Sequence, residues 1–64
     1  MKFNELESVK TLKDFPEEGV KKGDTGTIVM AFTLPNEAYE VEFVNSNGTT
    51  RAMFAILPED LDQA

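Results

Sequence analysis

Apolar and polar residues alternate most regularly over residues 38–44. Three large apolar residues fall on one side of this range: Tyr39, Val41 and Phe43. Two carboxylates, Glu40 and Glu42, fall on the other side. A period of two is typical of a β-strand with one buried face and one face in water. The pattern therefore predicts a half-buried strand over residues 38–44.

Three other segments have β-strand character. Residues 25–32 form a nearly continuous run of β-branched and apolar residues, which predicts a second strand. Gly26 lies inside this run and indicates a bulge or a close approach of another segment. We also expect strands over residues 9–13 and 49–56.

The remaining segments carry turn and loop signals. Residues 4–7 suggest one helical turn capped by Asn4, and residues 34–37 read as a turn. Residues 14–23 are polar and contain Pro16, so we expect an irregular loop held to the body by Phe15 and Val20. Pro58 precedes two acids and predicts a single helical turn.

Asn47 and Gly48 predict a hairpin turn between the third and fourth strands. A two-residue loop places Val41 opposite Phe54, whereas a four-residue loop places Tyr39 opposite Phe54. Both registers keep the large apolar residues of the two strands on one face. A three-residue loop breaks that agreement, so the sequence argues against it.

Five short β segments, a long first loop and a helical turn before the last segment predict an all-β SH3-like barrel. Curling so small a sheet covers its apolar face and protects its edges. The expected core is made of ten residues: Val9, Leu12, Val20, Ile28, Tyr39, Val41, Phe43, Phe54, Ile56 and Leu61.

Length and composition narrow the functions open to this chain. Its 64 residues fit a single domain, residues 1–64, and leave little room for an enclosed substrate cavity. The chain has no Cys and no His, so disulfides, thiolate nucleophiles and imidazole acid–base chemistry are excluded. We expect no enzymatic activity and no cofactor. No apolar segment is long enough for a membrane helix and no export signal is evident, so we expect a cytoplasmic protein.

The formal charge of −6 favours basic protein partners and disfavours nucleic acid and anionic membranes. Lys21 and Lys22 are the only adjacent basic pair, which is too little for strong phosphate binding. Gly23 and Gly26 lack the following helix and Lys-Ser or Lys-Thr pair of a phosphate-binding loop, so we interpret both as structural. The acidic side chains lie in polar contexts and predict a solvated surface rather than a catalytic pair.

Several motifs carry a family resemblance. The segment from Gly23 to Ile28 has the Gly-x-x-Gly-x-Val shape of KOW-type SH3-like modules. Together with residues 12–29, residues 38–44, the Asn47-Gly48 pair and residues 57–61, it resembles a family of short acidic bacterial proteins, domain of unknown function 4926. The resemblance covers nearly the whole chain, implies the SH3-like fold and carries no mechanism.

These observations predict a non-enzymatic protein-interaction module, either immunity- or antitoxin-like or an accessory partner of a co-encoded protein. Self-association and a nucleic-acid-associated, KOW-like role are the alternatives. The expected binding residues combine apolar anchors with carboxylates: Phe15, Pro16, Glu17, Glu18, Met30 and Met53. Phe15 has two open interpretations, since it can pin the long loop to the barrel or insert into a partner.

Overall fold

Five antiparallel strands make up one sheet in the computed structural model, which describes residues 2–64. The strands are β1 (Ser8–Thr11), β2 (Thr25–Phe32), β3 (Ala38–Val44), β4 (Thr50–Ile56) and β5 (Leu61–Gln63), and two 3₁₀ turns span Pro16–Glu18 and Pro58–Asp60. The strand order is β4-β3-β2-β1-β5. The predicted all-β, five-stranded class is confirmed, and this order, with its long first loop, is compatible with an SH3-like barrel.

The first strand ends earlier than predicted. Thr11, rather than Leu12, takes the last buried position, and the Thr11 hydroxyl donates a hydrogen bond of 2.9 Å to the Lys21 carbonyl. The backbone N–H of Leu12 donates to the Asp60 carbonyl at 2.9 Å, and the Leu12 side chain is 40% exposed. The prediction of Leu12 as a core residue is therefore wrong, because the strand's alternation turns this side chain outward.

The segment before β1 is a tight turn rather than the predicted helical turn. The N–H of Glu7 donates to the Asn4 carbonyl, and the Glu7 carboxylate accepts from the Asn4 N–H at 3.0 Å. Asn4 therefore does not act as a helix cap. Phe3, which directly precedes this turn, is buried in the core. Its ring lies edge-on to that of Tyr39, with 5.4 Å between the ring centroids.

Two features adapt β2 to its neighbours. A Cβ atom on Gly26 would lie 2.6 Å from a methyl carbon of Val41 and 2.9 Å from the carbonyl oxygen of Glu42. This confirms the expected close approach. The register between β2 and β3 shifts after Ile28 and before Met30, so the irregularity lies beyond Gly26 itself.

The hairpin between β3 and β4 has a loop length that the sequence argued against. The N–H of Asn45 donates to the Thr49 carbonyl at 2.8 Å, which leaves three residues in the loop. Gly48 has a φ of 88°, as expected for a turn followed by a left-handed residue. A register shift next to Phe43 then restores the pairing of Val41 with Phe54. The bulge thus gives the apolar alignment of a two-residue loop.

Most of the predicted core is confirmed. The confirmed buried members are Val9, Val20, Ile28, Tyr39, Val41, Phe43, Ile56 and Leu61. Phe54 is only partly buried and packs at the margin of this cluster. Phe3, Thr11 and Ala52 are buried members that the sequence analysis did not include. Phe3 lies outside every predicted strand, and Thr11 and Ala52 are too small or polar to stand out by hydrophobicity.

Candidate functional site

A groove lies between the β1–β2 loop and β4. Residues 13–18 form one wall, and Phe54 and Ala55 form the other, around a volume of about 290 Å³. We call this space the β4 groove. It brings together four of the six predicted binding residues: Phe15, Pro16, Glu17 and Glu18.

Local hydrogen bonds explain the shape of the loop wall. The N–H of Phe15 donates to the Val20 carbonyl at 2.7 Å, and the Val20 N–H donates back to the Phe15 carbonyl at 3.2 Å. Pro16 opens the 3₁₀ turn Pro16–Glu18, and Gly19 ends it with a φ of 69°. The sequence analysis predicted no regular element here, because three residues are too few to show a helical period. Val20 is buried in the core and Phe15 packs against it, which confirms the expectation that these two residues hold the loop to the body.

The Phe15 ring connects the loop to the edge of the sheet. Its centroid lies 5.1 Å from that of Phe54 in an edge-to-face arrangement, and Phe54 in turn stacks on Phe43 at 5.6 Å. The Lys13 ammonium lies 5.4 Å from the centre of the Phe15 ring. Phe15 is half-buried in this position, as expected if its ring holds the long loop against the barrel.

The rim of the groove is acidic. Glu17 and Glu18 are exposed, and neither takes part in an ion pair among residues 2–64. Asp14 accepts a hydrogen bond of 2.7 Å from the Lys22 N–H. Lys13, the one basic residue in this lining, is held 3.5 Å from the Asp60 carboxylate. Negative charge on Glu17 and Glu18 is therefore available to a partner.

The two methionines occupy different places. Met53 is 51% exposed and lies on the same outer face of β4 as Ala55, but it is not one of the residues that line the groove. Met30 is 50% exposed but lies on β2, beyond β3, where it faces Glu40. The structure therefore does not bring Met30 together with the other predicted binding residues.

Phe54 and Ala55 are the groove residues that the sequence analysis missed. Phe54 was expected in the core, and Ala55 was not named among the expected binding residues. The alternation in β4 does indicate that Ala55 points to solvent. No local pattern shows that the β1–β2 loop lies beside it.

A second depression of about 420 Å³ shares Asp14 and Pro16 with the groove and is otherwise lined by Gly19, Val20 and Lys21. All five lining residues belong to the β1–β2 loop, and Val20 among them is buried. Asp14 and Lys21 are the charged residues of this lining.

Asp24 forms a polar contact elsewhere on the loop. A hydrogen bond from the Lys21 N–H, together with the Arg51 guanidinium 3.1 Å away, lowers the pKa of the Asp24 carboxyl. Because Arg51 lies at the start of β4, this ion pair and the pair of Phe15 and Phe54 join the loop to that strand at two points.

Tyr39 centres the other polar cluster. Its hydroxyl donates to the Glu37 carboxylate at 2.7 Å and accepts from the Phe3 N–H at 3.0 Å. The Tyr39 hydroxyl and the Lys2 N–H lower the pKa of Glu37. Burial and the Glu37 hydrogen bond raise the pKa of Tyr39. These contacts hold the N-terminal segment to β3.

Residues 2–64 contain no group of three acidic side chains placed to hold a metal ion. Within the same residues, no helix has the length and apolar character needed to cross a membrane.

Comparison with known proteins gives one result that bears on the whole chain. Neither the curated proteins nor the solved structures contain a match to it. A family model described as Domain of unknown function (DUF4926) matches residues 5–63. The match spans all five strands and both walls of the β4 groove, so the chain belongs to the DUF4926 family.

Proposed function

We propose that this protein is a non-enzymatic interaction module that binds a basic protein partner at the β4 groove. The observation that carries the proposal is the combination of Glu17 and Glu18, which are exposed and form no ion pair within residues 2–64, with an apolar wall made by Phe54 and Ala55. Binding surfaces often combine an apolar centre with a charged rim.

Charge complementarity supports a basic partner. The whole chain carries a formal charge of −6, so its field attracts a positively charged protein and repels phosphate-rich ligands. The free carboxylates at the groove then orient the partner that this field has attracted. A co-encoded cytoplasmic toxin or a larger enzyme that needs an accessory chain fits this chemistry.

Two charge-reversal variants test the proposal. The first combines Glu17→Lys with Glu18→Lys. The second, the matched control, combines Glu5→Lys with Asp62→Lys, which are exposed positions near the opposite edge of the sheet. Each double variant changes the formal charge from −6 to −2, so only the location of the change differs.

We expect the wild-type protein to capture its partner from an extract of the native host. The groove variant should bind it at least about tenfold more weakly at low salt, whereas the control variant should lose much less affinity. Equal losses in the two variants would show that net charge, and not the groove, governs binding. Micromolar binding of the wild-type protein to RNA or DNA at physiological salt would favour the KOW-like alternative instead.

A further inference from the structure

The open edge of β4 is a feature that the acidic rim does not explain. β4 lies at the end of the strand order and pairs only with β3. The β1–β2 loop touches it through the side-chain pairs of Phe15 with Phe54 and Asp24 with Arg51. No backbone hydrogen bond among residues 2–64 joins this loop to β4.

The direction of the free backbone groups follows from the hydrogen bonds of Ile28. Its N–H donates to the Glu7 carbonyl at 3.0 Å, and its carbonyl accepts from the Leu6 N–H at 2.7 Å. Both polar groups of Ile28 thus point away from β3. In an antiparallel pair, the backbone N–H and carbonyl groups of two opposed residues either hydrogen-bond to each other or both point away from the shared side. Val41 is opposite Ile28, so its backbone groups must point away from β2 and towards β4.

The same alternation continues into β4. Val41 is opposite Phe54, so these two residues exchange hydrogen bonds across the strands. Met53 and Ala55 flank Phe54 and must therefore direct their N–H and carbonyl groups away from β3, towards the open edge. Both side chains are exposed, and Ala55 also lines the β4 groove. Unpaired strand groups thus lie beside a space bordered by free carboxylates.

We infer that β4 is the docking strand, and that its partner segment is an extended peptide with alternating basic and apolar residues, which adds to the sheet as a sixth strand. The inference rests on the proposed function and specifies how the partner binds. Backbone hydrogen bonds to Met53 and Ala55 supply affinity in such strand addition, and alternate side chains supply specificity. Basic side chains of the peptide meet Glu17 and Glu18, while its apolar side chains contact Phe54.

Charge argues against a second copy of this chain as the occupant. Two copies each carrying −6 repel one another as they approach. The basic residue within β4 is Arg51, which is already paired with Asp24 at 3.1 Å. A second β4 therefore offers no free cation to Glu17 and Glu18.

The test uses a defined probe, a capped heptapeptide of alternating lysine and valine. A matched probe carries N-methyl groups on alternate residues, which remove backbone donors while the charge and the side chains are retained. We expect the unmodified peptide to bind, with amide NMR shifts concentrated at Met53 and Ala55. The N-methylated peptide should bind at least about tenfold more weakly, since two or more hydrogen bonds are lost.

Protein variants provide a second measurement. Met53→Pro removes an N–H that the ladder with β3 does not use, so the fold should tolerate it, but the peptide should no longer bind. Met53→Ala keeps that N–H and should retain most of the affinity. If Met53→Pro does not fold, the comparison of the two peptides still decides the result.

Three outcomes would overturn the inference. Equal binding of the two peptides would show that side chains alone make the contact and that no sixth strand forms. The proposed function would still stand in that case if the Glu17→Lys and Glu18→Lys double variant bound both peptides more weakly. Absence of peptide binding at about 1 mM would exclude strand addition, while partner capture would still test the proposed function separately. A dimer in sedimentation experiments that Met53→Pro dissociates would assign β4 to a second copy.

Discussion

Replacing Phe15 with alanine is expected to lower the free energy of unfolding by about 1.5–3 kcal/mol. Truncating a fully buried Phe costs about 3–5 kcal/mol, and Phe15 is only half-buried, which reduces the transfer contribution. Its edge-to-face contact with Phe54, at 5.1 Å, contributes about 0.5–1.5 kcal/mol of this total. A domain of this size has little stability to spare, so the change should be readily measured.

Urea unfolding followed by circular dichroism measures this effect. Leu34→Ala is the matched control, because Leu34 is 83% exposed and its truncation should change stability by less than about 0.5 kcal/mol. A double-mutant cycle of Phe15→Ala with Phe54→Ala should give a coupling energy of about 0.5–1.5 kcal/mol.

Two results would contradict this role of the Phe15 ring. If Phe15→Ala changed stability no more than Leu34→Ala does, the ring would not pin the loop. If the coupling with Phe54→Ala were near zero, the stability change would come from another contact. A stable Phe15→Ala variant that had lost its partner would instead support insertion of Phe15 into that partner.

Three further changes test other parts of the fold. Gly26→Ala should lower the free energy of unfolding by about 1–3 kcal/mol or more, because the added Cβ would lie 2.6 Å from a methyl carbon of Val41. If chemical denaturation showed no change in stability, this close packing would be contradicted. Leu6→Gly should leave stability unchanged or raise it by up to about 1 kcal/mol, since Leu6 is 79% exposed at a φ of 70°; a clear drop in melting temperature would exclude relief of strain. The pKa of Glu37, measured by NMR titration, should lie below its ordinary value of 4.5 and rise in Tyr39→Phe, because the hydroxyl that stabilises the carboxylate is removed. The Glu37 contribution to stability is therefore complete above its unfolded-state pKa and is lost as pH falls through the lower folded-state pKa; no change in the titration on Tyr39→Phe would refute the assignment.

Part of the candidate site could be predicted from local sequence. Pro16 and the polar character of residues 14–23 indicate a loop, so Phe15, Pro16, Glu17 and Glu18 were assigned together to one binding surface. The exposure of Glu17 and Glu18 was also predictable, because charged residues in a polar loop remain in water. The alternation in β4 also directs Met53, one of the expected binding residues, outward.

The opposite wall could not be predicted in this way. Phe54 is thirty-nine positions from Phe15, and no local pattern shows that their rings meet. Met30 has the same exposed, apolar character as Met53 in sequence, yet β3 lies between the strands that carry them. Membership of one surface depends on strand order and curvature, which are properties of the whole sheet.

Local sequence was enough to place β2, β3 and the hairpin and to assign Tyr39, Val41 and Phe43 to the buried face, because a period of two is a local property of the extended chain. Long-range packing, in contrast, set the burial of Thr11 in place of Leu12, the burial of Phe3, the two register shifts and the open edge of β4. Each of these depends on contacts between segments distant in sequence, since a bulge or a change of chain direction is favourable only where the opposing surface is already in place.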